Sequence, residues 1–273
     1  TKTADKTSVT KGEKVAYTVT VDIPTYANNT TDKSFYVSDL LPDGLSLNTT
    51  SIEVKVDDTT VDTAAYTLDT TATNVYTFKL SVSTKQYTDS WTDKGGKQLV
   101  ITYTATLNDD TTTTVNVKEN NTATFDYSFY PYDADSHNQK TVDYAVNTFA
   151  IKIDKFAFNG INTGDKTNKL FGAKFDLYRT ATTEETNAGG IETIPHTNVQ
   201  GIKLESDLVT DDNGSATFEK YEANGTKYDY YLVETQAPHG YNILAEAVKV
   251  NFTDAEATNG VYTVKVPNSS GIT

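Results

Sequence analysis

One short segment near the middle of the chain decides the fold. Residues 149–155 read FAIKIDK, in which apolar and polar side chains alternate. Side chains of a β-strand point alternately to opposite faces, so the phenylalanine and the two isoleucines share one face with Lys155. The pattern predicts a half-buried strand that carries a lysine on its apolar face.

The same alternation recurs on both sides of this segment. Residues 15–21 read VAYTVTV and residues 99–105 read LVITYTA. Turn-forming clusters separate such segments, for example PDG at residues 42–44 and DNG at residues 212–214. The chain contains 18 Tyr but one Trp, and it is rich in Thr and Val, which favour pleated sheets over helices. We therefore predict an all-β protein built of antiparallel sandwiches.

Length and periodicity together predict two domains. The chain has 273 residues, which is enough for two modules that each bury a core. Residues 130–147 contain Pro131, several Asp and little regular periodicity, and they separate two strand-rich halves. We place the domains at residues 1–147 and 148–273.

Charge and hydropathy limit the partners. A formal net charge of −14 repels nucleic acid and anionic lipid, so we expect neither as a partner. The sequence has no apolar run of about 18 residues and no basic segment leading into an apolar one. We expect a processed or excised fragment of a secreted protein.

The residues and motifs typical of enzymes and metal sites are scattered or missing. Cysteine is absent, which excludes disulfides and cysteine nucleophiles. An extracellular β-protein without disulfides needs another stabilising cross-link. The three histidines have no metal-binding spacing, and no GxSxG, P-loop or dinucleotide motif occurs. We expect no metal, no cofactor and no enzymatic turnover.

The second half carries three motifs in a fixed order. They are LFGAKFDLY at residues 170–178, YLVETQAPHGY at residues 231–241 and VKVPN at residues 264–268. Together with the lysine-bearing first strand, they resemble collagen-adhesin B-type (CnaB) domains over residues 148–268. The resemblance implies an Ig-like sandwich locked by an isopeptide bond.

In that family a first-strand lysine attacks the amide of a last-strand asparagine, expelling ammonia, while a glutamate assists. The matching residues are Lys155, Asn268 and Glu234. Burial supports these roles, because it disfavours both a charged ammonium and a charged carboxylate. Lys152 is the alternative nucleophile, on the opposite face of the same strand.

The first half resembles another pilin module, the collagen-adhesin A-like (CnaA-like) isopeptide-forming D2 domain, over roughly residues 1–130. The segments are GEKVAYTV at 12–19, VSDLLPDGL at 37–45 and NTATFDY at 121–127. The resemblance implies Asp39 as the assisting acid and Asn121 as the bonding asparagine. For the lysine it leaves Lys2 or Lys6, and the spacing from the residue-12 strand favours Lys2.

These resemblances imply a Gram-positive backbone pilin fragment with two tandem Ig-like domains, CnaA-like and then CnaB-like. We expect each bond to join the first and last strands of its domain. The expected partners are neighbouring pilins, through sortase-made links, and host surface or matrix proteins, on a cell-wall-anchored pilus. An LPXTG sorting signal and a YPKN-type pilin motif are both absent. The alternative is a stalk of a tip or minor pilin, or of an MSCRAMM-like adhesin.

Overall fold

The structure is a computed structural model that describes residues 1–72, 75–108, 118–130, 133–158, 168–222, 227–252 and 260–269. The chain divides into two compact units, Thr1–Asn147 and Thr148–Thr273. Strands dominate both units, which confirms the all-β prediction. Within the described ranges, no helix is long and apolar enough to cross a membrane.

The first unit contains two five-stranded sheets. Its strands are β1 Lys2–Ala4, β2 Lys14–Asp22, β3 Phe35–Leu40, β4 Leu45–Val56, β5 Thr59–Thr60, β6 Thr67–Asp69, β7 Phe78–Val82, β8 Gln98–Leu107, β9 Lys118–Ser128 and β10 His137–Asn147. One sheet has the order β1-β2-β8-β4-β5 and the other the order β10-β9-β3-β7-β6. Helix α1 spans Thr84–Ser90, and single 3-10 turns span Thr63–Ala65 and Thr92–Lys94.

The core of the first unit lies between these sheets. Alternate residues of β2 and β8 are buried, as their sequence pattern predicts. Ser83 caps α1 in a reciprocal capping box with Gln86, which fixes the start of this short helix. Just after the helix, fully buried Trp91 donates its indole N–H to the carbonyl of Ala65 at 2.8 Å.

The prediction that residues 130–147 are irregular is wrong for most of this stretch. β10 occupies residues 137–147 and pairs antiparallel with β9 along its whole length. It is an edge strand whose side chains are largely exposed, so it needs no apolar alternation and gives no strand signal. Its last residue, Asn147, exchanges backbone hydrogen bonds with the segment at Thr7 and Val9.

The second unit contains a three-stranded and a five-stranded sheet. Its strands are β11 Phe149–Phe158, β12 Lys174–Thr180, β13 Glu192–Thr193, β14 Gln200–Val209, β15 Ser215–Tyr221, β16 Tyr230–Gln236, β17 Val248–Lys249 and β18 Val261–Ser269, and helix α2 spans Thr183–Ala188. The sheet orders are β15-β11-β18 and β13-β14-β12-β16-β17. The core includes Ile151, Ile153, Phe175, Leu232 and Val266.

The first and last strands of the second unit lie side by side. β11 and β18 pair in parallel, with Lys155 opposite Val266 and Ala157 opposite Asn268. This differs from the purely antiparallel pairing expected from sequence. A parallel pair needs a long crossover, and the rest of the unit supplies it.

Candidate functional site

The first unit gathers its predicted site residues from both sheets. Lys2 lies on β1 opposite Val19 of β2, in one sheet. Asp39 lies on β3 opposite Ala123 of β9, in the other sheet. Asn121 is two residues from Ala123, so it shares the inward face with Asp39. The lysine therefore reaches across the core of the sandwich.

The three side chains meet at the hydroxyl of Tyr103. Lys2 Nζ donates to a carboxyl oxygen of Asp39 and to Tyr103 Oη, the latter at 2.9 Å. Asn121 Nδ2 donates to the same hydroxyl at 2.8 Å. Asp39 and Asn121 have no exposed surface, and Lys2 is 5 % exposed as a whole residue while its side chain is fully buried. The structure thus brings the predicted lysine, acid and asparagine into one buried network.

Aromatic rings wall this network off from water. Tyr17 and Tyr103 stack with their centroids 5.4 Å apart, and Lys2 Nζ lies 5.4 and 5.6 Å from the two centroids. Burial lowers the pKa of Lys2 and raises the pKa of Asp39, in each case against the opposing effect of the other residue's charge. Both shifts favour a neutral amine beside a neutral carboxyl.

Two buried oxygens in this network indicate a proton on the carboxyl. Neither Asp39 Oδ1 nor Asn121 Oδ1 has a hydrogen-bond partner among the described residues. Two acceptors cannot bond each other, and a buried acceptor without a partner is rare. A protonated Asp39 can donate to the amide oxygen and polarise its carbonyl, which activates the amide carbon toward attack.

Lys6, the alternative nucleophile of the first unit, lies away from this site. Its side chain is 31 % exposed, and its Nζ lies 3.8 Å from a carboxyl oxygen of Glu13. Of the two sequence candidates, the structure brings Lys2 to Asp39 and Asn121.

The second unit buries Lys155 against Glu234. Lys155 lies on β11 and Glu234 on β16, so the pair bridges the two sheets. Lys155 Nζ and Glu234 Oε1 are 2.9 Å apart, and both side chains are fully buried. The amine lies 5.4 Å from the centroid of Phe175, and burial lowers the pKa of Lys155 despite the nearby carboxyl.

A turn after β16 holds the glutamate in place. The backbone N–H of Tyr241 donates to the carbonyl of Pro238 at 3.1 Å, and Gly240 takes a positive φ of 84° that suits glycine. The chain then doubles back, and the N–H of Leu244 donates to Glu234 Oε2 at 2.8 Å. The motif at residues 231–241 thus supplies both the acid and the turn that orients it.

Asn268, the predicted bonding asparagine of the second unit, is described only by its backbone. Asn268 lies on β18 and pairs with Ala157 of β11, the strand that also carries Lys155. Its side chain lies outside the described part of the structure. Lys152, the alternative nucleophile, is only partly buried on β11, in contrast to fully buried Lys155.

Sequence reasoning missed Tyr103. The alternation at residues 99–105 predicts only a strand, and Tyr103 falls on its apolar face with Leu99 and Ile101. A tyrosine on such a face packs as a core residue in most strands. The signal that could have identified Tyr103 is its hydroxyl, because a buried tyrosine hydroxyl needs a hydrogen-bond partner.

Residues 157–267 match the sequence profile of the family described as SpaA: Prealbumin-like fold domain. The second unit carries this prealbumin-like fold. The profile covers most of the unit and includes β12, β16 and the turn that orients Glu234. No curated protein matches the chain at significant sequence similarity.

Solved structures extend the likeness to the whole chain. It is similar to domains D2 and D3 of the major pilin SpaD from Corynebacterium diphtheriae, at 20 % identity and a TM-score of 0.61, covering 100 % of this chain and 99 % of that one. The group B streptococcus pilus 2b backbone protein gives 24 % identity and a TM-score of 0.66, with 99 % and 98 % covered. The Corynebacterium diphtheriae major pilin SpaA gives 22 % and 0.63, with 98 % and 68 % covered. At these identities the likeness shows a shared fold.

Proposed function

We propose that the chain is a rod segment of the backbone subunit of a Gram-positive surface pilus. In this proposal each unit is locked by one self-made Lys–Asn isopeptide bond, Lys2–Asn121 in the first and Lys155–Asn268 in the second. The fold shared with major pilins supports the structural role. The structure of one of these relatives, the major pilin SpaA, points to a modular pilus assembly stabilizing isopeptide bonds.

One observation carries the proposal: each unit buries a lysine completely against a carboxyl group. The Lys2–Asp39 and Lys155–Glu234 pairs both have 0 % side-chain exposure. A buried ion pair is a poor source of stability, because desolvating two charges offsets their attraction. The same burial produces a neutral amine, which is a nucleophile. A reactive role therefore explains these buried pairs better than electrostatic stabilisation does.

The reaction balances within each site. The neutral lysine Nζ attacks the asparagine Cγ, and a C–N bond forms while the carbonyl electrons move to Oδ1. Nζ gives up a proton and Nδ2 gains one. The carbonyl then reforms, the Cγ–Nδ2 bond breaks and ammonia leaves. The folded sandwich provides the catalysis, because it holds amine and amide together at high effective concentration.

This activity is a single event in each domain, so the protein is not an enzyme with turnover. The bond of the second unit would join its first and last strands, so pulling force would bypass nearly all of the unit. Such rods would be linked to neighbouring pilins by a sortase, and the pilus would be anchored in the cell wall and support adhesion to host surfaces.

Intact mass spectrometry of the purified fragment tests the proposal. We expect a mass two ammonia molecules below that calculated from the sequence. Lys2→Ala and Lys155→Ala should each restore one ammonia, and so should Asp39→Ala and Glu234→Ala, because in each unit the carboxyl group assists the attack of the lysine.

Matched controls come from the alternative lysines. Lys6→Ala and Lys152→Ala should leave the deficit of two ammonia molecules unchanged, because both side chains lie away from the buried pairs. The full calculated mass in the unmutated fragment would overturn the proposal. A deficit that disappears in a control variant would reassign the nucleophile.

A further inference from the structure

The hydroxyl of Tyr103 touches both nitrogens that exchange a proton in the first unit. It lies 2.9 Å from Lys2 Nζ and 2.8 Å from Asn121 Nδ2. Its ring is 1 % exposed and is held by the stack on Tyr17 and by an edge contact with Phe78, whose centroid is 5.0 Å away. A buried hydroxyl on a firmly packed ring thus spans the gap between the attacking amine and the leaving group.

We propose that Tyr103 is a catalytic residue of the first unit, which shuttles a proton from Lys2 Nζ to Asn121 Nδ2. This inference rests on the proposed isopeptide chemistry and adds a group that the Lys, Asp and Asn assignments lack. The phenol oxygen takes a proton from Nζ while the phenol proton passes to Nδ2. The hydroxyl is restored at the end of the step, so no other proton source is needed.

The timing of the transfer depends on the electronic structure of the amide. Before attack, the lone pair of Nδ2 is delocalised into the carbonyl, so the nitrogen donates a hydrogen bond and does not accept one. After attack, the carbon is tetrahedral and the lone pair is localised on Nδ2. At the same time Nζ carries the extra proton and becomes acidic. Both ends of the shuttle therefore become active together, and a hydroxyl that rotates freely can serve both.

This division leaves Asp39 a separate task. The carboxyl also interacts with the Tyr103 hydroxyl and the Asn121 amide. Its unpartnered Oδ1 fits the polarisation of the asparagine carbonyl, which is also unpartnered among the described residues. One group thus stabilises charge on oxygen while the other moves the proton between nitrogens.

The second unit has a different arrangement around its amine. The aromatic ring beside Lys155 Nζ is Phe175, which has no hydroxyl, and Glu234 Oε1 itself lies 2.9 Å from the amine. In the first unit the amine likewise contacts its acid, Asp39, so the hydroxyl of Tyr103 is what distinguishes the two sites. The phenol shuttle is therefore a property of the first unit, and the second unit serves as an internal control.

Tyr103→Phe removes the hydroxyl and retains the ring that packs on Tyr17 and Phe78. Cells are sampled at intervals after a brief induction, and the cross-linked and free peptides of each unit are quantified by mass spectrometry. We expect the first bond to form about 100-fold more slowly, the lower end for loss of general acid–base catalysis. The second bond should form at its normal rate.

Tyr17→Phe is the matched control, because it removes one phenol from the same stacked pair. It should form the first bond at the unmutated rate. Equal slowing in both variants would overturn the shuttle, since general loosening of the site would then explain the effect. An unchanged rate in Tyr103→Phe would also overturn it. If the unmutated protein lacks the first bond altogether, the proposed function fails for this unit instead.

A second measurement covers a Tyr103→Phe variant that fails to fold. A ring-fluorinated tyrosine placed at residue 103 keeps the hydroxyl and its hydrogen bonds and makes the phenol more acidic. A shuttle predicts that the rate of the first bond changes with the acidity of the phenol. A rate that is the same for every fluorinated ring would contradict the proposal.

Discussion

The two units place the same three residue types on different strands. In the first unit, Lys2 comes from one sheet, and Asp39 and Asn121 come from the other, so a bond would cross the sandwich. In the second unit, Lys155 and Asn268 lie on neighbouring parallel strands of one sheet, and Glu234 approaches from the opposite sheet. The chemistry needs a buried amine, acid and amide, and it does not fix which sheet supplies each.

The units also differ in the position of the asparagine along the chain. Asn268 lies on β18, the last strand of its unit, as the sequence predicted. Asn121 lies on β9, and β10 comes after it, so the expectation that the bonding asparagine lies on the last strand is wrong for the first unit. The missed edge strand explains the error. The hairpin of β9 and β10 would stay partly outside the proposed covalent loop, which would enclose residues 2–121.

The largest expected effect is the loss of either proposed bond. By analogy with a disulfide, closing a loop of about 100 residues stabilises a fold by about 5 kcal/mol. Glu234→Ala should therefore lower the free energy of unfolding of the second unit by about this amount, and Asp39→Ala that of the first unit. Thermal unfolding with limited proteolysis checks both variants. An unchanged midpoint in a variant that has regained its ammonia would contradict the stabilising role.

Pulling on the ends of each unit should distinguish the two arrangements of the proposed bonds. In the first unit, force entering at Thr1 would pass through the proposed bond to Asn121 and leave residues 122–147 under load. Asn121 and Asn147 lie near the same end of the β9–β10 hairpin, so the hairpin would open one hydrogen bond at a time after the contacts of Asn147 with Thr7 and Val9 break. Full extension would also separate β9 from β3.

Single-molecule force spectroscopy measures this directly. We expect the first unit to lengthen by roughly 90 Å, from about 26 residues at about 3.5 Å each. The second unit should show no comparable step, because its proposed bond would lie near the end of its last strand. Equal extension of both units would remove the mechanical distinction.

A smaller effect concerns His137, which holds the start of β10. Its Nδ1 lies 2.5 Å from Asp126 Oδ1, and its Nε2 lies 3.1 Å from Asp32 Oδ2. Partial burial alone would lower the pKa of His137, but hydrogen bonds and charge from Asp126 and Asp32 raise it above 6.5. A raised pKa stabilises the fold below the unfolded value, and that stabilisation is lost as pH rises through the folded pKa.

We therefore expect the first unit to lose about 1 kcal/mol of stability as pH rises from about 6 to about 9. His137→Gln should flatten this dependence. The measurement is denaturant unfolding of both proteins across that pH range, with the second unit as an internal reference. Parallel pH profiles for the two proteins would show that His137 contributes nothing.

Strands with one apolar and one polar face could be predicted from the sequence, whereas a strand with two exposed faces could not. Residues 149–155 alternate clearly, so the inward register of Lys155 could be predicted. β10 is exposed along most of its length and gives no such pattern. Lys2 and Lys6 both precede the first long strand, and only three-dimensional pairing of β1 with β2 distinguishes them. Tyr103 was missed because its hydroxyl matters only through partners distant in sequence.

Peptide mapping of the unmutated fragment tests the central claim most directly. Trypsin cannot cleave after a lysine whose amine is bonded to another side chain. We predict two branched peptides, one joining Lys2 to Asn121 and one joining Lys155 to Asn268, each lighter by one ammonia than its two parts. Linear peptides ending at unmodified Lys2 and Lys155, with intact Asn121 and Asn268, would contradict the account.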